Sequence, residues 1–217
     1  MASLDRLVWI DCEMTGLDPQ VDELVEVAVV ITDFELNVLD PGFAVVVQPS
    51  AAALDQMDDF VRNMHASSGL DQEFAGGLQR AEAELQVLDY ITKFVPDAGT
   101  APIAGNTIGT DRMFLAAQMP AIDAHLHYRA IDVSSIKELA KRWFPRAYFN
   151  APSKDGGHRA LADILESIRE LQYYRRAVFT AEPGVSSDEA KTISAAVVAD
   201  FSQKINGDGP SSSSESL

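Results

Sequence analysis

The feature that most constrains this chain is a pair of acids set into the end of an apolar run. Residues 7–18 read L-V-W-I-D-C-E-M-T-G-L-D. Leu7, Val8, Trp9 and Ile10 form the continuous apolar stretch expected of a strand buried on both faces. A strand repeats every two residues, so Asp11 and Glu13 point to one face and Cys12 to the other. Two carboxylates side by side repel each other unless positive charge sits between them, and Mg²⁺ or Mn²⁺ prefers such oxygen ligands. Thr15-Gly16 turns the chain away and leaves Leu17 near the acids. Alone, D-x-E is common and more often marks a strand that has simply reached the surface, so the pair needs partners from elsewhere.

Two later stretches offer them. Asp111 follows a short apolar segment, P-I-A-G-N, and stands at the start of a helix expected over 112–119, where capping is the ordinary role of an aspartate. His158 and Asp163 are five residues apart, which on one helix puts them on different faces. Gly156-Gly157, however, lets His158 lie in the loop before a helix expected over 159–179, with Asp163 in its first turns, so both can face a common site. The set is then Asp11, Glu13, Asp111, Asp163 and His158. Four carboxylates suit a pair of divalent ions, roughly 4 Å apart, that activate water and stabilise the leaving oxygen in phosphodiester cleavage. A histidine suits the general base because its pKa lies near neutrality.

The remaining pattern is α/β. Residues 24–32 are β-branched and strand-like, with Glu26 inside the run at an edge or facing a polar neighbour. Residues 37–47 follow, interrupted by Asp40-Pro41-Gly42, so the early strands suggest an antiparallel meander. Helices are expected over 53–64 and 81–95, and from Ser134 or Ser135 to Trp143; short strands are expected over 102–106 and 130–133. Early strands followed by alternating helices and strands argue for a mixed central sheet flanked by helices. From residue 181 the composition changes. Ser186-x-x-Glu189 reads as a capping box for one more amphipathic helix carrying Ile193, Val197 and Phe201. Beyond residue 206, Gly, Pro and Ser dominate and imply disorder. The expected division is a domain over 1–180 and an extension over 181–217.

Charge limits the function. The chain carries 17 basic and 33 acidic residues, a net −16. A protein that tracks a long phosphate backbone needs a basic surface; this one repels a polyanion at long range. Any nucleic acid it handles is therefore short, or held by metal ions and a few local contacts. The single cysteine, Cys12, excludes an intrachain disulfide and a thiolate zinc cluster. No basic region with a long apolar run opens the chain, and no apolar run reaches membrane-spanning length; the expected location is the cytoplasm.

Four motifs, W-I-D-C-E-M-T-G-L-D, G-N-T-I-G-T-D-R-M-F-L, H-Y-R-A-I-D-V-S-S-I-K-E-L and G-H-R-A-L-A-D-I-L-E-S-I-R-E-L, in this order and spacing over residues 4–179, resemble the oligoribonuclease family. These are 3′→5′ exoribonucleases of the DEDD group with a histidine base. The resemblance implies an RNase H-like exonuclease fold, two Mg²⁺ or Mn²⁺ ions, a homodimer, and degradation of very short single-stranded RNA, dinucleotides above all, to mononucleotides. It assigns Asp11, Glu13, Asp111 and Asp163 to the metals and His158 to the base. It further implies that Leu17 and Tyr128 wedge around the terminal bases, Tyr128 coming from the partner subunit. Thr107, Arg129 and Ser134 are placed near the 5′ phosphate, and His65, in M-H-A-S-S-G-L, near the 3′ nucleotide. Phe60 stands in M-D-D-F where relatives often carry tryptophan, and keeps a π-face for stacking. Other readings are a DNA-directed, proofreading-type 3′→5′ exonuclease, against which H-Y-R-A-I-D-V-S-S-I-K-E-L argues, and a non-catalytic binding module, which would require a lost acid.

Overall fold

The early strands form first along the chain: β1 (Arg6–Met14), β2 (Leu24–Asp33) and β3 (Phe43–Val46). The computed structural model in which they are seen describes residues 5–153 and 159–206. β1 pairs antiparallel with β2, and β2 with β3, giving the meander that the sequence indicates. The stretch before Phe43 contributes only an isolated bridge, Thr32 to Val38. Gly42 ends it in a left-handed turn with φ 98°, where a Cβ would strike the side chains of Leu161 and Val30.

The helix expected over 53–64 is two helices, α1 (Ala51–Gln56) and α2 (Asp59–Ser68). Asp58 divides them. Its backbone is extended and its carboxylate accepts the Val61 N–H at 2.8 Å, so it starts a new helix instead of continuing the old one. Two 3₁₀ turns follow, Leu70–Gln72 and Phe74–Gly76, then α3 (Arg80–Phe94), β4 (Pro102–Gly105) and α4 (Ile108–Gln118). Next come α5 (Pro120–His125), β5 (His127–Asp132), α6 (Val133–Trp143), α7 (Pro145–Phe149) and α8 (Ala160–Ala177). Pro120 and Pro145 each open a short helix, where the missing N–H costs nothing. The α6 cap is Asp132, not Ser134 or Ser135: its side chain accepts the Ser134 N–H.

β4 joins β1 in parallel and β5 joins β4 in parallel, so the mixed sheet runs β3-β2-β1-β4-β5. Strand alternation then divides the core. Val8, Ile10 and Cys12 face one side, packed with Val87 and Ile91 of α3 and Phe114 and Leu115 of α4. Leu7 and Trp9 face the other, packed with Ala160, Ile164, Ile168 and Leu171 of α8. This five-stranded mixed sheet with helices on both faces is the architecture expected of the RNase H-like fold that the four motifs imply.

The chain divides into two compact units, Met1–Val178 and Phe179–Leu217. The second contains α9 (Ser187–Asn206). Its start is the reciprocal cap foreseen in the sequence: Glu189 accepts from the Ser186 N–H, and Ser186 Oγ accepts the Glu189 N–H. Ile193, Val197 and Phe201 are exposed along it. The tail beyond residue 206 lies outside the described residues. Among the described residues, no helix is long and apolar enough to cross a membrane.

Candidate active site

The division of the sheet explains the site. Asp11 and Glu13 have the odd parity of Leu7 and Trp9, so they share the face that α8 covers. α8 carries Asp163 in its first turn. Asp11, Glu13 and Asp163 therefore converge, with one carboxylate oxygen from each lying within 4.8 Å of the others. Asp111 comes from the opposite face. It lies inside the first turn of α4, which begins at Ile108, and is not its cap. Its Oδ1 accepts the backbone N–H of Cys12 at 2.9 Å, between Asp11 and Glu13 in the chain. His158 lies outside the described residues.

The acids strain one another. Glu13 is buried, and burial followed by the charges of Asp163, Glu26 and Asp111 pushes its carboxyl up to about 8. Burial likewise raises Asp111 to about 7, against the opposing effect of its Cys12 N–H bond. Oxygen donors this close, and this reluctant to ionise together, fit a hard divalent cation: it would supply the charge that the carboxylates lack. Cys12 faces the core, where burial and the surrounding acids raise its thiol pKa.

The loop after β1 is tied by Asp22, which accepts from Thr15 Oγ1 at 3.2 Å and from the Asp18 N–H at 2.9 Å. A Cβ at Gly16 would strike that carboxylate, which accounts for the glycine. Leu17, held out by this loop, is 77% exposed, and Phe60 on α2 is 78% exposed. Both are open to a planar ligand. His65 differs. It is fully buried, its Nε2 bonds the Met14 carbonyl at 2.9 Å, and its ring meets Phe74 edge-on. In this arrangement His65 supports the end of β1, and a nucleotide reaches its ring only if Phe74 and its neighbours give way.

Thr107 and Ser134 are brought together. Thr107 precedes α4 in the left-handed region, φ 54°, an unusual position for a β-branched residue. Its N–H donates to Asp132 and to Ser134 Oγ, and the two hydroxyls lie 3.1 Å apart. Behind them Ser134 donates to the Asn106 Oδ1, and Asn106 Nδ2 donates to Ser167 and Glu170. Tyr128 and Arg129 lie on β5, the sheet's edge. The Tyr128 ring, 74% exposed, stacks on His127 and carries the Arg129 guanidinium 5.4 Å from its centroid.

Sequence reasoning did not name the partners of the polar supports. Buried Glu26, opposite Glu13 in the β1–β2 register, binds Arg159 and through it Glu73. Its signal was legible: an acid within an apolar run requires a polar partner. β2 is interior to the sheet, so of the two readings for Glu26 the polar-neighbour one holds. The Asn106–Ser167–Glu170 network left no comparable mark.

Fold and acids together define an exonuclease domain, and residues 8–171 match the RNase T exonuclease family. The chain is 68% identical to oligoribonuclease of Leifsonia xyli subsp. xyli over 196 residues, 90% of this chain and 95% of that one. It is 58% identical to oligoribonuclease of Streptomyces avermitilis over 191 residues, 88% and 96% of the two chains. The chain belongs to the oligoribonuclease family. Among solved structures, the zinc-bound E. coli exonuclease I–single-stranded DNA complex resembles it with a TM-score of 0.60 at 15% identity. That likeness covers 79% of this chain and 40% of the neighbour, so this chain spans about two fifths of its length. It carries the fold alone.

Proposed function

We propose that this protein is a 3′→5′ exoribonuclease that degrades very short RNA, dinucleotides above all, to nucleoside 5′-monophosphates. The observation that carries the reading is the convergence of Asp11, Glu13 and Asp163 on one face of the sheet, in a chain of this family. With Asp111 they would hold two Mg²⁺ or Mn²⁺ ions. When bound, such ions activate water and stabilise the departing 3′ oxygen. His158 takes the proton of the attacking water. The water oxygen bonds to phosphorus as the P–O3′ bond breaks, and the 3′ oxygen takes up a proton from solvent, leaving a 3′-hydroxyl on the upstream nucleotide and a 5′-phosphate on the released one.

Leu17 and Phe60 present apolar surface to the bases. Thr107 and Ser134, with Arg129, receive the 5′ phosphate; Asp132 fixes Thr107 by accepting its N–H. The working unit is a homodimer in the cytoplasm, in which Tyr128 and Arg129 serve the partner's site. The second copy covers β5, Trp143 and Phe149, the last two being 66% and 77% exposed. A single digest tests the activity: RNA of two to about seven nucleotides in Mg²⁺, resolved by length. The dinucleotide should disappear fastest and EDTA should stop it. A seven-nucleotide RNA cleaved as fast as the dinucleotide would overturn the preference for very short RNA.

A further inference from the structure

We propose that Arg159, clamped between Glu26 and Glu73, is a positioning residue that sets the first turn of α8 so that Asp163 meets Asp11 and Glu13. The inference rests on the metal-site reading above.

Arg159 spreads its guanidinium over two elements. Nε and Nη2 donate to Glu26 Oε1 at 3.2 and 2.9 Å, and Nη1 donates to Glu73 Oε1 at 2.8 Å. The other oxygen of Glu26 accepts the N–H of Ala160, the first residue of α8, at 3.0 Å. The N-terminus of α8 is thus capped by a carboxylate of β2, while Arg159, at the capping position, makes no side-chain cap of its own. An anion at this end is also favoured by the helix dipole. The carbonyl of Arg159 in turn accepts the N–H of Asp163 at 3.1 Å. Fixing Arg159 therefore fixes the turn on which Asp163 stands.

The clamp closes around Glu13. Glu26 lies opposite Glu13 across the β1–β2 ladder. Glu73 immediately precedes Phe74, whose ring meets His65, and His65 holds the Met14 carbonyl beside Glu13. One guanidinium thereby joins α8, the interior strand β2 and the turns that support the end of β1. Only a planar fork with several donors can do this; an ammonium is a point charge.

Charge and position make opposite demands, which provides the test. Loss of a cation beside an acidic site tightens metal binding if charge alone matters, and weakens it if Arg159 positions Asp163. Mn²⁺ titrated calorimetrically into EDTA-treated full-length protein should bind about tenfold more weakly to Arg159→Met than to wild type. Arg159→Lys, which keeps the charge and loses the fork, should fall between them. On a 5′-phosphorylated diribonucleotide, kcat should drop in both while KM stays within about twofold. Wild-type Mn²⁺ binding and its loss in Asp163→Ala test the metal site separately. Unchanged or tighter Mn²⁺ binding by Arg159→Met, or wild-type affinity in Arg159→Lys should Arg159→Met fail to fold, would overturn the positioning role.

Discussion

Replacing Glu13 with glutamine should stabilise the metal-free protein and abolish its activity. The carboxyl of Glu13 is buried and surrounded by acids, and its pKa rises from 4.5 to about 8 on folding. A group whose folded pKa is raised stabilises the fold in its protonated form. Its contribution is complete below about pH 4.5 and is lost as pH rises towards about 8. At pH 7 the unfolded chain gains by ionising this residue while the folded chain does not, a cost of about 3 kcal/mol; near pH 5 the same linkage costs about 1 kcal/mol. Glutamine has nearly the same shape, carries no charge in either state and escapes the cost.

The assay is thermal or urea unfolding in EDTA at several pH values. At pH 7 the variant should melt higher by roughly 6–12 °C, taking about 2–4 °C per kcal/mol for a domain of this size. The gap should narrow towards about pH 5. Saturating Mg²⁺ should reverse the order, because a ligand bound only by the folded state stabilises wild type and finds an incomplete site in the variant. A variant less stable than wild type in EDTA at pH 7, or a gap that does not change with pH, would refute the account of Glu13 as a strained member of an acidic cluster.

The same raised pKa values predict that Mn²⁺ binding at pH 7 expels about one proton or more, from Glu13 and Asp111. Calorimetry in two buffers of different ionisation heat measures this, and heats independent of buffer would contradict it. Asp11→Ala, Asp111→Ala and Asp163→Ala should each nearly abolish cleavage with the circular dichroism unchanged; near wild-type turnover in any of them removes that residue from the site. His158→Ala should lower kcat by roughly 10²–10⁴ with little change in substrate binding, and should remove the near-neutral limb of the pH–rate profile. Tyr128→Ala or Arg129→Ala, mixed with His158→Ala and allowed to exchange subunits, should recover activity; full exchange without recovery would refute a site shared between subunits.

The fold was legible where sequence period and burial agree. The apolar run before Asp11, the β-branched residues of β2 and the stripe of α8 each carry their own signal, and each became the expected element. Helix boundaries were less legible where one side chain decides them. Asp58 splits α1 from α2 by a single hydrogen bond to Val61, and nothing in the apolar spacing of Met57, Phe60 and Val61 announces the break. The convergence of Asp11, Glu13 and Asp163 was legible, because Asp11 and Glu13 share a strand face and Asp163 stands in the first turn of a long helix. The placement of Asp111 relative to them was not. That depends on which face of the sheet α4 and α8 take, and it puts Asp111 against the Cys12 N–H instead of within the Asp11–Glu13–Asp163 group. His65 shows another limit: the resemblance places it near the 3′ nucleotide, and its ring is buried and bonds the Met14 carbonyl.

Charge and site geometry constrain the substrate together. At −16 the protein gains nothing from a long phosphate backbone, since every added nucleotide brings another charge into a repulsive field. Attraction has to be local, and the groups proposed for it are the hydroxyl pair of Thr107 and Ser134 and the Arg129 guanidinium over Tyr128. The acidic cluster would attract phosphate only after taking up cations, which replace the carboxylates' repulsion with positive charge. A ligand with one phosphate at the cluster and one at the hydroxyl pair satisfies both attractions. A longer one adds phosphates that meet only the acidic surface. On this argument the proposed preference for short RNA needs no device that measures length; it would follow from a site that binds two ends on a surface that repels whatever continues beyond them.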